Sequence, residues 1–122
     1  MSEFLTVEQV LAAPDIKEEV FFVEAWNGNL RLRALNKGQQ HRIRQRSMGR
    51  DGQIDQNKVE MLMFIEGVVE PKFSEEHAGA LRNKSAGAFD SVLVKIGELS
   101  GVTAAAEIPA AEVDDAEGQF RL

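Results

Sequence analysis

The sequence predicts an α+β domain over residues 1–101: a short N-terminal helix, a β-hairpin and then about four packed helices. Three observations carry that prediction. Asn27-Gly28 stands between two β-prone runs, Val20 to Trp26 and Asn29 to Leu35, which is the signature of a tight two-residue hairpin turn. Phe89, Val92, Leu93, Ile96 and Leu99 recur at helical spacing on one stripe. Between them, Met61 to Val69 is apolar almost all the way round, as a central helix of a small domain is.

Taken in order, the first helix opens at Thr6, whose side chain can cap Gln9 while Gln9 reaches back, with Leu5 and Val10 placed as a hydrophobic staple. It is short, because Pro14 biases the residue before it away from helical geometry. A type I′ turn at Asn27-Gly28 puts Phe21, Val23 and Ala25 on one face with Leu30, Leu32 and Ala34. On the other face that register pairs Glu24 with Arg31 and Phe22 with Arg33. A polar helix follows from the cap Asn36 to Gly49, and an apolar one from the cap Asp55 to about Val69. Ser74 caps a further helix with Glu75 and Glu76 at its positive end. The last helix, from about Gly87 to Ser100, closes on Gly101. From 102 to 122 the chain is alanine-rich and acidic with little apolar bulk, and reads as a mobile tail.

Composition narrows the function classes. Within 122 residues there is room for one core. The absence of cysteine excludes disulfides and thiolate metal sites. No apolar run is long enough to span a membrane, and the first residues lack a secretory pattern, so a cytoplasmic protein is expected. The net charge of −6 hides a polarity: Arg31, Arg33, Lys37, Arg42, Arg44, Arg46 and Arg50 occur with no acid among them, whereas 102–122 holds five acids and one base.

Chemistry has few candidates. His41 and His77, the only histidines, fall on different predicted helices, and no metal-ligand spacing or phosphate-binding glycine loop occurs, so no catalytic set and no cofactor is predicted. Arg42, Arg46 and Arg50 form a row that could meet phosphates, an acidic protein surface or acids of the same chain. The net acidity of residues 1–101 and the lack of interleaved aromatics argue against nucleic acid, leaving a small nucleic-acid-binding regulator as the alternative reading. Met61, Phe64, Ile65 and Val68 share one face of the apolar helix, and the cover visible in the sequence suffices for one face better than for two. They are therefore candidates for a partner or self-association surface as well as for the core, and a homo-oligomer is a possibility.

The order of these pieces resembles the small tail assembly chaperones of long-tailed bacteriophages and prophages. The resemblance rests on Leu11 to Asp15, Lys17 and Glu19-Val20 entering the hairpin, Val23 to Gly28, and Leu30 to Leu35. It continues through the Asp51-Gly52 turn, Glu70 to Ser74, Leu81, Lys84 to Ala88, and Ile96 to Gly101. Glu70 stands before Pro71 where family members often carry Asp. The resemblance implies a non-enzymatic assembly factor of the bacterial host cytoplasm. Its implied partners are the tape-measure protein, whose long apolar helices it keeps soluble, and the tail-tube protein, whose subunits it recruits.

Overall fold

The computed structural model describes residues 4–101, and the tail expected over 102–122 lies outside the described residues. The elements run α1 (Val7–Ala12), β1 (Glu18–Val23), β2 (Gly28–Arg33), α2 (Lys37–Arg46), α3 (Gln56–Gly67), β3 (Val68–Glu70), α4 (Ala78–Leu81) and α5 (Ala86–Leu99). The three strands form one antiparallel sheet in the order β1-β2-β3, giving the α+β architecture that the sequence predicts.

The caps act as the sequence implies. Asn36 accepts from the Gln39 N–H at 2.8 Å while Gln39 Oε1 accepts from the Asn36 N–H at 2.9 Å, so two donors at the start of α2 are satisfied reciprocally. Asp55 accepts from the N–H groups of Asn57 and Lys58 at the start of α3. Gly101 takes φ +84 just past α5, a left-handed conformation that glycine adopts without a Cβ penalty.

The hairpin differs from its predicted register. Glu24–Trp26 forms a single 3-10 turn, Asn27 alone takes positive φ (51°), and Val23 pairs with Gly28. The predicted pairs Glu24–Arg31 and Phe22–Arg33 therefore do not form: Phe22 lies opposite Asn29 and Arg33 opposite Glu18. The displacement is an even number of residues, so the paired strand residues keep their faces, whereas Ala25, expected on the core face, is exposed in the turn. Its physical reason is Trp26, which the longer turn carries to within 6.4 Å of the Phe64 ring, edge to face, a contact a two-residue turn would forgo.

A second difference lies at the end of the apolar helix. The chain leaves helical geometry at Val68 rather than Val69, and Val68–Glu70 adds a third strand. Two β-branched residues followed by one that precedes proline favour extended backbone, and β2 offers an edge to pair with. Arg31 then bonds Glu70 across that edge at 3.1 Å in place of Glu24.

The core is centred on α3, which packs against α2, α5 and β3, while α5 also covers β1 and β2. Leu32, Val59, Phe64, Val68, Val92 and Ile96 are fully buried. Phe64 is held by three rings besides its aliphatic neighbours: it stacks on Phe89 at 4.6 Å and touches Phe73 at 5.4 Å as well as Trp26.

Candidate functional site

The apolar surface that this chain leaves open is not where the sequence places it. Met61, Phe64, Ile65 and Val68 are all buried within the single chain, and from Val59 to Val68 no apolar residue of α3 is exposed. This corrects the candidate interface: the helix has no second face free for other molecules. Trp26 from the hairpin turn and Phe73 from the connection after β3 supply the cover that the hairpin face and the α5 stripe alone do not.

The arginine row is likewise not assembled as one site. Arg46 is engaged in an ion pair with Glu75. Arg50 stands beyond the end of α2, beside the Gly49–Gly52 turn. Arg42 is exposed on the helix and has no ion pair among the described residues.

Instead, the exposed apolar surface gathers at the N-terminal end. Eight of the ten large exposed hydrophobics among the described residues lie between Phe4 and Phe22: Phe4, Leu5, Val7, Val10, Leu11, Ile16, Val20 and Phe22. Helix α1 is locally well specified. Thr6 Oγ1 accepts from the Gln9 N–H at 3.1 Å and Gln9 Oε1 accepts from the Thr6 N–H at 2.9 Å. Val7, Val10 and Leu11 share one side of it and Glu8 and Gln9 the other, the pattern of a helix meant to lie on something. Yet none of its residues is buried, and Leu11 is 80% exposed. Leu5 and Val10 are exposed too, so the predicted staple shields neither of them. A helix of six residues is far shorter than the roughly 12–15 needed for marginal stability in water.

The apolar surface continues onto the sheet. Alternation along β1 sends Glu19, Phe21 and Val23 towards α5 and the core, and Glu18, Val20 and Phe22 outward. Lys95 of α5 fixes this orientation from the inner side, binding Glu19 at 3.0 Å and Glu98 at 3.7 Å. The hydrogen bond that Lys95 donates to Glu19 raises the Lys95 pKa above its ordinary value of 10.5, against a smaller opposing effect of desolvation. Val20 and Phe22 remain about half exposed, flanked by Arg31 and Arg33, which Glu70 and Glu18 neutralise. An apolar strip rimmed by neutralised charge suits a protein partner better than an aqueous ligand.

Other features of the surface are accounted for locally. A cleft of about 410 Å³ between α3 and the start of α5 has Met61, Leu81 and Phe89 at its floor and Glu60, Arg82, Lys84 and Asp90 around it. His77 Nδ1 accepts from the Ser74 N–H at 3.0 Å and its ring meets Phe73 edge-on, so it serves as a cap. Among the described residues no group of three His, Cys, Asp or Glu is placed to hold a metal ion, and no helix is long and apolar enough to cross a membrane.

Comparison with protein-family models, with curated proteins and with solved structures gives no match to this chain.

Proposed function

We propose that this protein is a non-catalytic assembly factor, a tail assembly chaperone of the long-tailed phage and prophage type, that binds a client by protein–protein contact. One observation supports the reading above others: a folded core that buries its own most apolar helix carries exposed apolar side chains at Leu5, Val7, Val10, Leu11, Val20 and Phe22. The client class that suits this segment is a protein with long apolar helices, such as a tape-measure protein, and the complex would help recruit tail-tube subunits in the host cytoplasm. Burying a Val, Leu or Phe side chain contributes about 1.5–3 kcal/mol, so four or five such residues suffice for a useful affinity after the cost of association. The ordered motifs from Leu11-Ala12-Ala13-Pro14-Asp15 to Ile96–Gly101 point to the same family. The alternative regulator that reads nucleic acid through Arg42, Arg46 and Arg50 is weakened by the Arg46–Glu75 pair.

Co-expression with a candidate tape-measure protein tests the proposal. The chaperone should raise the soluble fraction of that protein and co-purify with it, and Val10→Asp/Leu11→Asp should abolish both while leaving the fold intact. Absence of any solubility gain and of co-purification would refute it. Steeply salt-dependent DNA binding would favour the regulator instead.

A further inference from the structure

We infer that the outer face of α2 is a docking site for an acidic peptide segment, and that its occupant is the chain's own residues 102–122. This inference is independent of the client-binding reading. It starts from charge. From Leu30 to Arg50 the chain has no acid, and α2 with its neighbours carries Lys37, Arg42, Arg44, Arg46 and Arg50. Only Arg46 has an ion-pair partner among the described residues. At 100° per residue Lys37, His41 and Arg44 fall within about 60° of one another, and the row they make is about 10 Å long. All three are exposed. The segment 102–122 has the opposite character, with Glu107, Glu112, Asp114, Asp115 and Glu117 against Arg121 alone.

The second observation is where the described chain stops. Ser100 Oγ accepts from the Leu35 N–H at 2.8 Å, which pins the end of α5 one residue before the cap of α2. Ser100 and Gly101 line a cleft together with Asn36, Lys37 and Gln40, and Asp15 is the one carboxylate in its wall. The last described residue, Gly101, therefore lines the same cleft as Lys37, the first cation of the row. Glu107 is the sixth residue after Gly101, and an extended chain covers at most about 3.4 Å per residue, roughly 20 Å in all. The ten residues of α2 span about 15 Å, so every acid of the segment lies within reach of the helix.

Individual ion pairs at an exposed site are weak. A tether changes the balance, because a short linker holds the two partners at an effective concentration in the millimolar range. The weak pairs then act on a segment already held nearby, and their sum at low salt sets how much of the time the face is covered. At about 1 M salt, where the screening length falls to roughly 3 Å, the contact should open.

The chain has no cysteine, so Ala116→Cys gives a single attachment point for a nitroxide. In the full-length, isotope-labelled protein at low salt, amides of Lys37 to Arg46 should be broadened several-fold more than those of the β1–β2 hairpin. That difference should vanish at about 1 M salt and in the Lys37→Gln/Arg44→Gln variant, whose substituted side chains are exposed. A mixture of labelled and isotope-enriched copies separates contact within a chain from contact between chains. Uniform or absent broadening of α2 overturns the inference. So does broadening that survives high salt or the substitutions, or that arises only between copies.

Discussion

Gly67 and Ile96 approach so closely that a Cβ at position 67 would lie 2.5 Å from Ile96 Cδ1 and within 2.9 Å of two further side-chain carbons. The glycine at the end of α3 is therefore what lets α5 lie against it, and Ile96, which is fully buried, has no open space to move into. Gly67→Ala should destabilise the fold by about 1–3 kcal/mol through overpacking, in spite of alanine's better helix propensity. Pairing it with Ile96→Val removes the nearest clashing carbon. The double variant should then lose less stability than the two single changes added together, which urea denaturation of all four proteins will measure.

Phe64 makes a second prediction. Its ring is fully buried against Phe89, Phe73 and Trp26, so Phe64→Ala should cost about 3–5 kcal/mol and Phe64→Asp should prevent folding altogether. Trp26 is the only tryptophan, which makes its emission a direct probe of this contact. A folded, monomeric Phe64→Asp protein would instead mean that this face lies on the outside.

The helices and their caps were legible because their signals are local. Thr6, Asn36 and Asp55 bond to groups two or three residues away, and proximity in sequence is enough to foresee that. The hairpin register was not, since it is decided by Trp26 meeting Phe64, 38 positions further along the chain. Strand β3 depends equally on a distant edge, where Arg31 and Leu32 await it. The misplaced apolar interface has the same origin. Counting greasy residues on α3 showed an excess, but only the folded chain shows Phe73 and Trp26 closing over it. Conversely, α1 was visible from its Thr6 cap, while the exposure of every one of its residues was not.

Lys95 ties α5 to β1 and gives the fold a pH signature. Its pKa is raised in the folded state, so its contribution is fully present below the ordinary value of 10.5 and fades as the pH rises through the higher folded value. Lys95→Met should therefore be less stable than the parent at pH 8, with the gap closing above about pH 10.5. Because both side chains of the Lys95–Glu19 pair are partly exposed, the gap should also shrink in high salt. Denaturation midpoints at pH 8 and 11, with and without salt, check both statements. A gap that is the same at both pH values would show that the lysine acts through its aliphatic stem.

The N-terminal segment separates stability from binding. No residue of α1 is buried, so Val10→Asp/Leu11→Asp should change folding stability by no more than about 0.5 kcal/mol. The same substitutions break the apolar stripe, and should lower the binding of a dye that reports exposed apolar surface along with client binding. Phe22→Ser on the outer face of β1 should act in the same direction, since Phe22 is about half exposed and continues the strip. A strand position is less forgiving than α1, so a modest loss of stability is expected there. The informative comparison is between the two variants: client binding should fall in both, and the denaturation midpoint should move only for Phe22. If the α1 variant loses stability instead, the helix packs on its own domain in solution, and the uncovered surface is smaller than it is here.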